Sequence, residues 1–329
     1  MHPAIETSEL TKRFRRREHA AVDAVSLRVE RGELFGLLGR SGAGKTTLIR
    51  MLSTALVPTS GSARVAGHDV SREVRRVRAA IAVVPSDDRS FHPRLTGRQN
   101  LEFFAALGGL TGRAARARAD SLLEAVGLTT SGATAFRTYS GGMRQKLGIA
   151  RGLLGDPEVL FLDEPSRSLD PISAREVRAL ISGFVVGELR RTVVLATHSL
   201  PEAEELCGRL ALVRDGRLVA QGTVAELRRA FPHGVRCELL LPAVPTELPG
   251  ALRRLPDVRD VEVTMAPGGW LLGVALAQER EGLAAVLREV VGHGGEVHAC
   301  TVREATLEDV YVRALAGPPA GAATEALAC

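Results

Sequence analysis

The chain has 329 residues, of which 45% are hydrophobic and 25% are charged, and its formal net charge is +5. This length suggests two domains, and the composition is that of a globular protein rather than a disordered or fibrous one. Aromatic residues make up only 4%. Stacking sites for single-stranded nucleic acid need aromatic side chains, so we expect no direct nucleic-acid partner.

The sequence gives no support for a zinc site or a membrane span. Its four cysteines are far apart and form no C-x-x-C pair, which is typical of a protein from a reducing cytosol. The N-terminus lacks the apolar core of a signal peptide, and no run of 18 apolar residues occurs. We therefore expect the chain to work at a membrane only if another polypeptide recruits it.

The first two thirds of the chain alternate between predicted strands and helices. Short strands over 4–36 lead to a buried strand over 33–38, a helix over 48–52, an edge strand over 61–67, a helix over 70–78 and an apolar strand over 80–84. Helical spacing follows over 98–128, and a second helix starts after 140–142 and continues through Leu154. Apolar strands over 159–162 and 192–196 and a hairpin over 210–220 come next. Helices alternating with fully apolar strands predict a mainly parallel sheet that is covered on both faces.

The last third of the chain has a different character. Residues 235–315 predict the order strand, helix, strand, strand, helix, strand, which is the split-βαβ pattern of ferredoxin-like α+β domains, followed by a last helix over 306–315. The tail is rich in Pro, Gly and Ala and is predicted to be disordered. The predicted domains are therefore 1–232, 233–315 and the tail 316–329.

Residues 39–47 read Gly-Arg-Ser-Gly-Ala-Gly-Lys-Thr-Thr and contain the pattern G-x-x-x-x-G-K-[ST] between a predicted strand and a predicted helix. This setting predicts a phosphate-binding loop, in which glycines let backbone N–H groups face an anion at a helix N-terminus. Lys45 is expected to reach the β- and γ-phosphates, and the Thr46 hydroxyl to ligate Mg²⁺. A glycine-rich turn without a ligand is the alternative, and it leaves the Lys-Thr pair unexplained.

Two carboxylates end the apolar strand over 159–162, at the edge where parallel sheets bind ligands. We expect Asp163 to hold Mg²⁺, directly or through water. Glu164 is placed to orient and deprotonate an attacking water molecule. Two acidic residues that only cap the next helix are the alternative, which the neighbouring phosphate loop makes less attractive.

Two further motifs are predicted to meet a nucleotide. His198 ends the strand over 192–196, where an imidazole can bind the γ-phosphate and hold the water or Glu164, although a lone histidine there can also be structural. Ser140 is a good helix N-cap, and Gly141 and Gly142 would bring backbone close to an anion. Capping alone explains Ser140 but not two consecutive glycines, each of which costs a helix roughly 1 kcal/mol.

With these motifs in this order, the chain resembles the ATP-binding subunits of ABC transporters over about residues 4–230. Residues 39–47 match the Walker A loop, 140–145 the signature motif, 160–165 Walker B, 168–170 the D-loop, and His198 the switch histidine. The resemblance implies a P-loop NTPase with a RecA-like parallel core, an antiparallel β subdomain and a helical signature subdomain, binding ATP and Mg²⁺. The nucleotide-binding residues it implies are Phe14, Gly39, Arg40, Ser41, Gly42, Ala43, Gly44, Lys45, Thr46, Thr47, Ser140, Gly141, Gly142 and Asp170. The catalytic residues it implies are Lys45, Glu164 and His198, and the metal ligands are Thr46 and Asp163.

The resemblance also implies partners. ATP would lie between Walker A of one subunit and the signature helix of another, so two copies would form a head-to-tail homodimer. The signature motif and the segment Leu307–Val312 are similar to ABC-2-type exporters of the daunorubicin-resistance kind, in which a separate integral membrane permease is the second component. The chain is then expected at the cytoplasmic face of the membrane, as a peripheral subunit that couples ATP hydrolysis to export.

Two positions depart from the family pattern. The strand over 80–84 is followed by Pro85 and then Ser86, Asp87 and Asp88, where a Q-loop glutamine is expected, and Gln99 comes much later. One of Ser86, Asp87 and Asp88 is expected to replace that glutamine. Ser168 occupies a D-loop position where glycine is common. Since neither departure touches Lys45, Asp163 or Glu164, hydrolysis is expected to survive.

Two other classes of protein share part of this pattern. A soluble ABC-type mechanical ATPase acting on nucleic acid or ribosomes usually has two ATPase units, long coiled-coil insertions or zinc modules, and the sequence contains none of these. A P-loop kinase would not explain the residues from Ser140 to Gly142 or His198. The exported substrate cannot be read from this chain.

Overall fold

A computed structural model of the chain describes residues 2–15, 18–86, 90–230, 235–277, 279–304 and 306–316. These residues form two compact units, one over 1–223 and one over 224–329. The helix over 224–230 is therefore grouped with the second unit, whereas the sequence placed it before a boundary at 232. Of the tail over 316–329, all but Ala316 lies outside the described residues.

The first unit contains ten strands and seven α-helices among its described residues. In chain order they are β1 (Ile5–Lys12), β2 (Val22–Val29), β3 (Leu34–Leu38), α1 (Lys45–Leu52), β4 (Ser60–Val65), β5 (His68–Asp69), α2 (Val74–Ala80), β6 (Ile81–Val84), α3 (Gly97–Leu107), α4 (Gly112–Ala125), α5 (Gly141–Gly152), β7 (Val159–Asp163), α6 (Pro171–Ala179), β8 (Thr192–Thr197), α7 (Leu200–Leu206), β9 (Arg209–Arg214) and β10 (Arg217–Thr223). A π-helical stretch, Leu180–Glu188, continues α6.

A six-stranded sheet in the order β10-β9-β3-β8-β7-β6 is the centre of this unit. Strands β9, β3, β8, β7 and β6 are parallel, and only β10 is antiparallel to its neighbour. A second, antiparallel sheet has the order β2-β1-β4-β5. The predicted parallel core with an antiparallel β subdomain is confirmed.

The inner strands of the parallel sheet are mostly apolar because both of their faces are buried. All six residues of β8 are buried. Val193 and Leu195 belong to the core shared with α3, α4 and α5, whereas Val194 and Ala196 belong to the core shared with α1 and the antiparallel sheet. Alternate side chains point to opposite faces of a strand, so the four residues between Thr192 and Thr197 are all apolar.

Helix α2 begins later than the sequence predicted, at Val74 rather than Val70. The carboxylate of Asp69 accepts hydrogen bonds from the backbone N–H groups of Ser71 and Arg72. These hydrogen bonds form a turn over 69–72, so the residues that were predicted to form the first turn of the helix are not helical.

The second unit consists of α8 (Val224–Ala230), β11 (Val235–Leu241), α9 (Leu248–Leu252), β12 (Val258–Ala266), β13 (Gly269–Leu276), α10 (Glu279–Gly292), β14 (Ala299–Glu304) and α11 (Leu307–Ala316). Its sheet has the order β12-β13-β11-β14, with every pair antiparallel. The four strands of a split-βαβ domain adopt this arrangement, so the predicted ferredoxin-like fold is confirmed.

The segment Leu307–Val312 has a structural role in this unit. Asp309 accepts hydrogen bonds from the backbone N–H and hydroxyl of Thr306, at 2.8 and 2.7 Å, and from Arg303 at 2.8 Å. The Asp309 N–H in turn reaches the Thr306 hydroxyl at 3.3 Å, which completes a capping box at the start of α11. Burial raises the pKa of Asp309, but these hydrogen bonds outweigh it and lower the pKa to about 2.

Candidate nucleotide-binding site

The phosphate-binding loop connects β3 to α1, as predicted. Gly44 occupies the N-cap position of α1 with φ +110°, and a Cβ atom at this position would lie 2.5 Å from the Ala21 carbonyl oxygen. Both the backbone conformation and the space therefore require glycine. Because α1 begins at Lys45, the unpaired N–H groups of its first turn belong to the loop and can bind an anion.

Lys45 is almost fully buried in this loop, with 5% of the residue exposed. Its Nζ donates hydrogen bonds to the carbonyl oxygens of Gly39 at 2.5 Å and Arg40 at 3.2 Å, and it lies 3.8 Å from Glu164 Oε1. Burial lowers the pKa of Lys45, whereas the carboxylates of Glu164 and Asp163 act in the opposite direction. The ammonium group is thus held at the loop by oxygen atoms on several sides.

Thr46 and Asp163 place two oxygen ligands side by side. The Thr46 hydroxyl donates a 2.9 Å hydrogen bond to Asp163 Oδ2. Mg²⁺ prefers oxygen ligands and is usually held by one or two protein groups together with substrate phosphates. A hydroxyl and a carboxylate beside a phosphate-binding loop therefore fit Mg²⁺.

Glu164 and His198 are in direct contact. His198 Nδ1 and Glu164 Oε2 form a hydrogen bond, and since an ionised carboxylate only accepts, the proton lies on Nδ1. Glu164 has φ +55° and donates its backbone N–H to the Ala196 carbonyl oxygen on β8 at 2.8 Å. This left-handed conformation is uncommon for a residue with a side chain and occurs often at functional sites.

A cavity of about 350 Å³ lies at the phosphate-binding loop. Its lining residues are Ala21, Ser41, Gly42, Ala43, Gly44, Lys45, Thr46, Thr47, Ser86, Asp163, Glu164 and Arg167. Most of the predicted phosphate and metal residues therefore meet at one place. Ser86 lines the cavity, whereas Asp87 and Asp88 lie outside the described residues.

Several predicted site residues do not line this cavity. Gly39 and Arg40 face Lys45 through their carbonyl groups, and the Phe14 ring lies 5.5 Å from Lys12 Nζ. Ser140 caps α5 by accepting the Met143 N–H at 3.2 Å, and Asp170 caps α6 through the N–H groups of Ile172 and Ser173. The residues from Ser140 to Gly142 and Asp170 do not line the 350 Å³ cavity.

Two features of the site were not anticipated from the sequence. Gly142 packs so closely on α6 that an added Cβ would lie 2.8 Å from both Cβ and Oγ of Ser173. Arg167 also lines the cavity, although it lies between the Walker B and D-loop matches and was given no role from the sequence. The available signal was a charged residue directly between two nucleotide-binding motifs. Gln99, in contrast, completes the capping box of α3 with Thr96.

Comparisons with known proteins agree with this geometry. Residues 22–167 match the ABC transporter family. The daunorubicin resistance ATP-binding protein DrrA3 of Streptomyces coeruleorubidus is 41% identical over 292 residues, which cover 89% of this chain and 90% of that protein. The daunorubicin/doxorubicin resistance ATP-binding protein DrrA of Streptomyces peucetius is 37% identical over 317 residues, or 96% and 93% of the two chains.

Among solved structures, CbiO1 of Clostridium perfringens, described as part of the ABC transporter complex CbiONQ, is 26% identical. It covers 70% of this chain and 94% of its own, with a TM-score of 0.63. The chain belongs to the ABC transporter ATP-binding family. It is the ATP-binding subunit of an ABC exporter and an ATPase. No helix in the described part of the chain is long and apolar enough to cross a membrane.

Proposed function

We propose that this subunit hydrolyses Mg²⁺-bound ATP at a site that is completed by a second copy of the chain. The observation that carries the proposal is the cavity where Lys45, Thr46, Asp163 and Glu164 meet without the signature residues. Each chain has one phosphate-binding loop and one signature helix. A head-to-tail homodimer therefore brings the residues from Ser140 to Gly142 of each copy to the nucleotide of the other.

Each residue of the cavity has a separate role in ATP hydrolysis. Lys45 and the loop N–H groups bind the phosphates, and Thr46 with Asp163 would hold Mg²⁺, which neutralises phosphate charge. Glu164 accepts a proton from the water that attacks the γ-phosphate. His198 holds the Glu164 carboxylate in position through its Nδ1–H. Ser86 is the residue that replaces the Q-loop glutamine.

The nucleoside end of ATP is assigned to the side of the site near Phe14. A second cavity, of about 850 Å³, shares Ala21 and Gly42 with the phosphate cavity and is also lined by Arg13, the neighbour of Phe14. Phe14 is the aromatic residue that we assign to stack on adenine here.

The proposed partner is an integral membrane permease, and the proposed cargo is an amphipathic polycyclic drug of the daunorubicin type. This proposal is supported by the two relatives named for resistance to such drugs. It places the chain at the cytoplasmic face of the membrane. The soluble mechanical ATPase remains the alternative class, and none of the relatives reported above is named for action on nucleic acid.

Co-purification from membranes tests the proposal. A tagged chain is expected to bring down a protein with several apolar segments of about 20 residues each. Cells that express both proteins should accumulate less daunorubicin than cells in which the subunit carries Lys45→Ala. Equal accumulation in the two cell types would refute the drug as cargo, and recovery of ribosomes or nucleic acid instead of a membrane protein would favour the alternative class.

A further inference from the structure

Arg167 is the second basic side chain at the phosphate cavity. In the described part of the chain, only Lys45 and Arg167 supply positive side chains to the cavity lining. Lys45 is already engaged by two carbonyl oxygens and lies near Glu164. Arg167 is exposed and forms no ion pair with any described residue. Its five N–H donors are therefore available to a ligand.

A constrained turn positions Arg167. Its backbone N–H donates to the Glu164 carbonyl oxygen at 3.1 Å. The turn contains two residues in the left-handed region, Glu164 with φ +55° and Ser168 with φ +61°. Such conformations persist where the surroundings fix them. The guanidinium group is thus tied to the same short turn as Glu164, which we have assigned to the attacking water.

Arg167 can offset the negative charge of the two carboxylates at the cavity. Asp163 and Glu164 are both negative, so they repel the terminal phosphate that must approach Glu164. A guanidinium group that forms two parallel hydrogen bonds to phosphate oxygens offsets this repulsion. The backbone N–H groups of the loop serve the inner phosphates. This leaves the γ-phosphate for the part of the cavity that Glu164 and Arg167 line.

We propose that Arg167 binds the terminal phosphate of the nucleotide in its own chain and so distinguishes ATP from ADP. This inference rests on the proposed function, since it needs a nucleotide in the 350 Å³ cavity. It adds a residue that the family match did not assign.

Binding of ATPγS and ADP, each with Mg²⁺, tests the inference by calorimetry on the full chain. In Arg167→Gln the Kd for ATPγS should rise about tenfold, as for a lost charge-assisted contact, while the Kd for ADP stays within about twofold. Arg167→Lys should give an intermediate value. Arg72→Ala is the matched control, because Arg72 is exposed and lies outside the cavity lining.

Three outcomes would overturn the inference: unchanged affinities in Arg167→Gln, equal weakening of both nucleotides, or weakening that occurs only at protein concentrations where dimers form. The last outcome would assign Arg167 to the partner's nucleotide. Lys45→Ala separates this inference from the proposed function. If Lys45→Ala loses nucleotide binding while Arg167→Gln keeps the wild-type ratio of the Kd for ATPγS to the Kd for ADP, only the role of Arg167 is wrong.

Discussion

The Thr46 hydroxyl and the Asp163 carboxylate are 117 positions apart in the sequence and are joined by a 2.9 Å hydrogen bond. One residue follows the loop after β3 and the other ends β7. The fold thus brings together two oxygen atoms suited to Mg²⁺ before any chemistry begins.

Thr46→Ala is expected to weaken the binding of the Mg²⁺ that ATP hydrolysis requires. The half-saturating Mg²⁺ concentration should rise on the order of tenfold or more because one ligand is lost. Thr46→Ser keeps the hydroxyl and serves as the control. Steady-state ATPase rates over a Mg²⁺ series measure the effect, and equal curves for the alanine and serine variants would remove Thr46 from the metal site.

Glu164→Gln is expected to slow hydrolysis by about 10²–10⁴-fold, because the amide cannot accept the proton of the attacking water. With ATP bound but not cleaved, the variant should elute as a dimer in gel filtration. Wild-type protein with ADP is the control. If the variant with ATP elutes only as a monomer, the head-to-tail dimer is wrong.

His198→Ala is expected to act through Glu164. The loss of the Nδ1–H contact should lower kcat while leaving the KM for ATP nearly unchanged, since His198 holds the base rather than the phosphates. A comparable rise in KM would instead indicate that His198 binds the nucleotide directly.

Gly142→Ala tests the contact between the signature helix and α6. An added Cβ would lie 2.8 Å from Ser173, so we expect a loss of about 1–3 kcal/mol in the free energy of unfolding. Gly155→Ala is the matched control, because nothing lies within 4 Å of a Cβ at Gly155. Urea denaturation followed by circular dichroism measures both variants. Combining Gly142→Ala with Ser173→Gly should recover part of the loss, and strictly additive effects would contradict the contact.

Asp309→Asn tests the capping box of α11. Because the pKa of Asp309 is lowered from 3.8 to about 2, its contribution is complete above about pH 4 and is lost as the pH falls toward 2. We expect the variant to lose about 1–2 kcal/mol at pH 7, with the difference from wild type vanishing near pH 2. Trp270 is the only tryptophan and lies on β13 of the second unit, so its fluorescence reports on this unit. A difference between variant and wild type that does not change with pH would contradict the assigned ionisation.

Much of the fold could be predicted because burial leaves a strong pattern. The strands at Val159–Asp163 and Thr192–Thr197 are apolar at nearly every position, and the sheet buries them on both faces. The phosphate loop and the Walker B carboxylates were predicted from local spacing, and they line one cavity.

The remaining features depend on contacts between distant segments. The fit of Gly142 against Ser173 joins two helices, and no local pattern encodes it. The unusual residue at Ser168, in contrast, was visible in the sequence. Its φ of +61° gives the physical reason why glycine suits that position. The roles assigned to Phe14, to the residues from Ser140 to Gly142 and to Asp170 stay predictions, since they require a second chain or a bound nucleotide.

Strand β8 lies between β3, which leads into the phosphate loop, and β7, which is followed by Glu164, although β8 comes after both in the sequence. A one-residue insertion or deletion inside β8 would exchange its two buried faces, and it would also turn His198 away from Glu164. A change in the length of β8 should therefore impair both folding and ATP hydrolysis. Length changes in this family should accumulate in the loops at either end of it.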